Sequence, residues 1–147
     1  MTQALLEQFE TATRDFVAAA KAIPAEKLHL SSAPGEWSPA YVIHHLADSD
    51  AYFLTRFLNA LSVENAAIVP FDEEIFPTAL RYAGRSVEVS IASIEASSAH
   101  AIDILKQTDE ADWARTGVHP ARGEMSLSDI LALTLNHRTE HLDQLKK

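Results

Sequence analysis

An all-α fold, a four-helix bundle, is predicted by three observations on this 147-residue chain. Its 4 Gly and 6 Pro fall between long stretches of helical periodicity rather than within them. Four such stretches each carry an apolar stripe, a helix-start signal or both, and none shows convincing strand-like alternation. The length suits a single domain, residues 1–147, able to bury a core without disulfides or structural metal.

The first helix is expected over about residues 3–22, where Leu5, Phe9, Phe16 and Ile23 recur at spacings of three, four or their sums. Pro24 closes it. The second begins at Trp37-Ser38-Pro39, with Ser38 as the cap and Pro39 at the first helical position. It continues through Val42, Leu46, Phe53, Phe57 and Ala60. The third starts at Ser86 and carries Val87, Ile91, Ile94, Ala101 and Leu105 on one face. The fourth opens on Ser126-Leu127-Ser128-Asp129, a Ser three residues before an acid, and reaches the C-terminal Lys pair. Residues 62–84 and 107–125 are longer than the usual bundle loop of about 2–8 residues. They call for a crossover, a lid or short extra helices, with Phe71 to Tyr82 the best place for one.

Composition narrows the chemistry. Cys is absent, so any metal must be held by His, Asp or Glu, and a reducing compartment is suited. The formal charge of -9 argues against duplex nucleic acid or an anionic membrane as partner. No apolar run approaches the roughly 18 residues of a membrane helix, and the N-terminus lacks a signal-peptide pattern. The expectation is a cytoplasmic protein acting on a small molecule.

Seven His residues are sorted by helix face at about 100° per residue. With Ile130 at zero, His137 falls near ~340° and His141 near ~20°, both on the apolar side of the fourth helix. Two imidazoles aimed at a core are costly unless partnered. Either other side chains or water at the bundle end cap them, or they share a metal ion; a third ligand decides. On the second helix His45 lies at the edge of the apolar stripe, while His44 points about 160° away from its centre and reads as solvent-facing. Tyr41, Ser49, Tyr52 and Arg56 share the edge with His45, either as a plain polar rim or as a pocket wall. His100 falls on a polar face, and His29 and His119 lie in connections.

The three candidate ligands impose a topology. His45 lies about 10 Å into its helix, and His137 and His141 average a similar distance from the end of theirs. They share a level only if the second and fourth helices run antiparallel. A simple up-down-up-down bundle would offset them by roughly 9 Å. One long crossover, best placed in 62–84, removes the offset.

Taken together, several short motifs resemble the DinB/YfiT-like metalloenzymes. They are Glu36-Trp37-Ser38-Pro39, His45-Leu46-Ala47-Asp48, Trp113 through Pro120 with Gly123, and His137-Arg138-Thr139-Glu140-His141-Leu142. They cover nearly the whole chain in order. The resemblance implies an up-down-down-up four-helix bundle with a long crossover between helices two and three, often dimeric. It also implies a metal on one His of helix two and the H-x-x-x-H pair of helix four, here His45, His137 and His141. Relatives include bacillithiol- or mycothiol-dependent S-transferases and a mycothiol-dependent isomerase, so a low-molecular-weight thiol enters as a candidate cosubstrate. This chain has no room for the extra C-terminal domain of some mycothiol users.

Three His ligands with an open position suit a catalytic metal, Zn or Ni by ligand type. The expected function is a metal-dependent hydrolase or thiol S-transferase. The alternatives are a non-catalytic metal- or small-molecule-binding bundle, and a structural homodimer module with a vestigial site. Asp48 is a candidate acceptor orienting the His45 ring, and Tyr52 and Arg56 are candidate pocket walls.

Overall fold

A computed structural model describes residues 2–147. Its four long helices are α1 (Thr2–Ala22), α2 (Pro39–Ser62), α4 (Val87–Leu105) and α6 (Leu127–Leu145), with α3 (Phe76–Ala79) and α5 (Glu110–Trp113) as single turns in the connections. The start signals operate as read. Ser38 Oγ accepts from the Tyr41 N–H, Ser86 Oγ accepts from the Val89 N–H, and Ser126 with Asp129 forms a reciprocal capping box.

Two apolar clusters set the helix directions. One joins Leu6 and Phe9 of α1 to Phe53, Phe57 and Ala60 of α2, Ala101 and Leu105 of α4, and Leu127 to Leu131 of α6. The other joins Phe16 and Ala20 to Val42 to Ala47, Val87 to Ile94, and Leu142 and Leu145. The early half of α2 therefore meets the late halves of α1 and α6 and the early half of α4. Thus α2 runs with α4 and against α1 and α6, so the crossover falls between α2 and α4.

Between the two clusters lies a polar layer with one residue from each long helix. Buried Arg138 of α6 pairs with buried Asp50 of α2 and donates from Nη1 to Ser98 Oγ of α4 at 2.9 Å and to Thr13 Oγ1 of α1. The guanidinium also lies over Phe9, 4.8 Å from the ring centroid.

The connections correct the expectation of no strands. β1 (Ala66–Ala67) pairs parallel with β2 (Thr116–His119), which pairs antiparallel with β3 (Gly123–Ser126). A two-residue strand has no alternation to read, which is why β1 escapes sequence inspection. At Gly117 the sheet leaves no room for a side chain: a Cβ would meet the Ala66 carbonyl oxygen and Ile68 Cγ1 at 3.0 Å. The small sheet joins the two long connections at one end of the bundle. Phe71 then packs 5.9 Å from Phe53, centroid to centroid, folding the first connection back along α2. Among the described residues, no helix is long and apolar enough to cross a membrane.

Candidate metal centre

Antiparallel packing of α2 and α6 brings His45, His137 and His141 to one level. Their ring centroids lie 4.5 to 5.0 Å apart. His45 is fully buried; His137 and His141 are half-buried at the edge of the bundle. The folded-back connection adds Glu73, whose Oε2 lies 3.2 Å from His45 Nε2. One donor atom from each of the four residues lies within 4.8 Å of every other. Glu73 was missed in the sequence because nothing local marks one acid among Asp72, Glu73 and Glu74 as returning to α2.

The donor set fits a divalent ion. His45 Nε2 and His137 Nε2 face each other at 2.9 Å. Two nitrogens on one tetrahedral ion at 2.0–2.1 Å would be about 3.3 Å apart, so a small adjustment admits it. Burial, reinforced by neighbouring His141, pushes His45 down to about 3; burial and the His141 and His45 rings push His137 down to about 2. Both rings are therefore neutral near pH 7, with lone pairs available to a cation.

Neighbours set the ring orientation. His141 Nδ1 donates to Gln144 Oε1 at 2.7 Å, which leaves its Nε2 free as a ligand. Ser49 Oγ donates to the His45 carbonyl at 2.7 Å and packs against the His45 ring, 3.3 Å from Nδ1 and 3.4 Å from Nε2. Trp37 covers the cluster from one side, 5.1 Å from His45 and stacked on His141 at 6.4 Å. Phe53 and Phe71 wall the other side, 5.3 and 6.5 Å from His137.

Asp48 does not orient His45, contrary to expectation. It forms a two-bond ion pair with Arg85, at 2.7 and 2.9 Å, because three residues of helix rotate it away toward the start of α4. Tyr52 sits on the connection, 4.9 Å from Phe71 and 5.9 Å from Phe76. It lines a groove on that side rather than the cleft reaching His137. Arg56 does line that cleft of about 570 Å³, together with Phe53, Phe71, His119 and Arg122. His119 Nδ1 accepts the N–H groups of Ala121 and Arg122 and so shapes the β2–β3 turn.

His44 is also corrected: it is buried, not solvent-facing, with Nδ1 2.7 Å from Ser90 Oγ of α4. His44 lies outside the cluster of His45, Glu73, His137 and His141, as its wheel angle separates it from His45, but α2 is covered on that side as well. Burial and the Arg85 charge hold its pKa down at about 4.

These depressions make acid destabilising. A His whose folded pKa lies below its ordinary 6.5 binds protons more readily when unfolded, so its contribution is intact above pH 6.5 and is lost as pH falls. Each such group costs about 1.4 kcal/mol per pH unit in that window. Melting metal-free protein from pH 7 to 4 at constant ionic strength should show Tm falling below pH 6.5. A flat profile down to pH 5 would contradict the buried neutral imidazoles.

The DinB superfamily pattern matches residues 8–145. A protein of Oceanobacillus iheyensis, provisionally named a metal-dependent hydrolase, is 32% identical over 117 residues, covering 80% of this chain and 67% of that protein. A Bacillus cereus protein with the same provisional name is 27% identical over 150 residues, covering 100% of this chain and 86% of its own. Among solved structures, YfiT from Bacillus subtilis superposes with a TM-score of 0.85 at 22% identity, over 99% of this chain and 85% of that one. It is described as having an unusual four-helix bundle topology. A mycothiol-dependent maleylpyruvate isomerase superposes with a TM-score of 0.81 at 16% identity, over 99% of this chain and 60% of that one.

Proposed function

The chain belongs to the DinB superfamily, and from that premise we propose that it is a metal-dependent hydrolase of a small molecule, with one divalent ion held by His45, His137 and His141. The observation that supports this most is the convergence of three imidazoles and a carboxylate beside a cleft of about 570 Å³. That volume lies in the usual range for small-molecule sites. Zinc or nickel suits the imidazole donors. A bound divalent ion would polarise a substrate carbonyl and lower the pKa of a water toward neutrality.

The chain's own groups supply the rest. Gln144 holds the His141 ring in the ligating orientation, and Ser49 packs against the His45 ring. Trp37, Phe53 and Phe71 keep bulk water from the imidazoles. Glu73, half-exposed on a connection, would add a carboxylate to the three imidazoles in holding the ion. On this reading Glu73→Ala keeps about one equivalent of metal, bound about tenfold more weakly, because the three imidazoles are fixed on packed helices whereas the carboxylate is carried by an exposed connection. The visible spectrum of the Co²⁺-substituted protein should change between wild type and variant. An unchanged spectrum would remove Glu73 from the ion.

Thiol S-transfer is the second reading, favoured by the likeness to the mycothiol-dependent isomerase. One experiment addresses both. Metal-loaded protein is assayed on chromogenic esters and amides, and separately with monochlorobimane and a panel of low-molecular-weight thiols. Hydrolysis above the His141→Ala background supports the proposal. A rate only with a thiol shifts it to transfer, and no rate above background in either leaves a metal-binding bundle without turnover.

A further inference from the structure

We propose that the cleft beside the candidate metal centre takes a small carboxylic acid, and that Arg56 is the residue that holds its carboxylate. This rests on the metal reading only for which group faces the acid's other end.

Arg56 is 6% exposed, and its Nη2 donates to the Val69 carbonyl at 3.0 Å. Its buried Nε has no hydrogen-bond partner. Among the described residues no carboxylate lies within ion-pair distance of it. The contrast with Arg138 lies in the counter-charge: that buried guanidinium also has an unpaired Nε, but it has Asp50. A buried cation without a counter-charge is costly; the Phe53 and Phe71 rings against the guanidinium offset part of that cost, and an anionic ligand would offset more. The strain is increased by Arg122 across the same cleft, whose charge adds to burial in lowering the Arg56 pKa.

The position relates this charge to the metal ligands. Helical side chains lean toward the N-terminus, so Arg56 on α2 leans in the direction of His45. Phe53 stands between, 5.0 Å from Arg56 Cζ and 5.3 Å from the His137 ring. Phe71 lies 5.4 Å from the same Cζ and 6.5 Å from His137. Phe53 and Phe71 pack edge to face, so a carboxylate on Arg56 would lay an apolar or flat body along the cleft side of this aromatic wall, toward His137. The other rim carries Asp72, Glu73 and Glu74. Those acids disfavour a dianion such as a phosphate monoester and leave the monoanionic carboxylate as the better fit.

The test uses 4-fluorophenylacetate, its neutral amide and phenyl phosphate as probes of Zn²⁺-loaded full-length protein. Fluorine NMR reads the first two, and competition reads the third. The acid should bind about tenfold or more tighter than the amide, as a charge-assisted hydrogen bond implies. It should also outcompete phenyl phosphate. Adding the acid, but not the amide, should shift the Arg56 Nε–H signal in ¹⁵N spectra of the unaltered protein, a readout that needs no variant. Arg56→Met should erase the acid preference, and Arg56→Lys should restore part of it. If His137→Ala loses metal but keeps the preference, the carboxylate site stands without reference to the ion. Failure of the wild type to load Zn²⁺ would strike the metal reading, and the Arg56 signal would still decide the carboxylate site. A preference lost in His137→Ala but untouched in Arg56→Met would put the carboxylate on the metal and overturn the proposal. Equal affinity for acid and amide, tighter binding of the phosphate, or an unmoved Arg56 signal would also overturn it.

Discussion

His141→Ala protein, purified without a His tag and dialysed against added Zn²⁺ or Ni²⁺, should retain less than about a tenth of an equivalent of metal where wild type holds one. The loss follows from geometry. With His141 gone, the remaining donors are His45 and His137, which face each other at 2.9 Å, and a half-exposed Glu73 on a connection. A graded companion makes the result specific. Gln144→Ala leaves all three imidazoles but frees the His141 ring from its 2.7 Å partner, so affinity should fall by about 10–100-fold rather than vanish. A second companion runs in the opposite direction. Burial and the neighbouring His141 and His45 rings push the His137 pKa far down, so in metal-free protein this half-buried ring is crowded against two other imidazoles with no cation between them. His137→Leu should therefore abolish binding and yet raise the Tm of metal-free protein, since an apolar group replaces one of three crowded polar rings beside Phe53. Elemental analysis with metal-free melts checks both. Full metal content in His141→Ala would dismiss the site.

The largest stability effect should come from Asp50→Ala. Asp50 is 4% exposed and Arg138 1% exposed, and the change leaves Arg138 buried with hydroxyl partners alone. Breaking one side of such a pair costs about 3–5 kcal/mol. For a chain of this size that lowers Tm by about 10 °C. Replacing both, as Asp50→Leu with Arg138→Leu, should recover much of the loss, because apolar residues of similar size often substitute well for a buried pair. Denaturant melts of the two single variants and the double variant test this. A single variant within 1 kcal/mol of wild type would mean the polar layer is dispensable. The layer also bears on the metal centre, because Arg138 is the residue after His137 and ties α6 to α1, α2 and α4 at that level. Asp50→Ala should accordingly weaken metal binding even in the protein that stays folded.

Local signals carried far. Ser38, Ser86 and Ser126 mark helix starts because a hydroxyl that accepts a free N–H is a property of three or four adjacent residues. The wheel separated His45 from His44 because helical rotation alone decides which faces the stripe. It failed on the surroundings of His44, since periodicity ranks the faces of a helix and does not say whether the second face is also covered. Here Ser90 of α4 covers it. Asp48 failed for a related reason: proximity along a helix did not compete with a guanidinium, Arg85, arriving from elsewhere.

By itself the sequence determined the all-α class, the four long helices and the Ser caps of three of them, and it tied the antiparallel relation of α2 and α6 to the premise of a shared site at His45, His137 and His141. Each depends on interactions within a few residues or on the simple rise of a helix. Only the tertiary structure decided the rest: Glu73 beside His45, Gln144 and Ser49 on the rings, the Asp50–Arg138 layer, and Arg56 left without a counter-charge. Most of these pairings join residues far apart in the chain, where partners are chosen by how helices and connections pack. Gln144 and Ser49 lie near their histidines in sequence, but their roles depend on which way each ring is turned by the packed bundle.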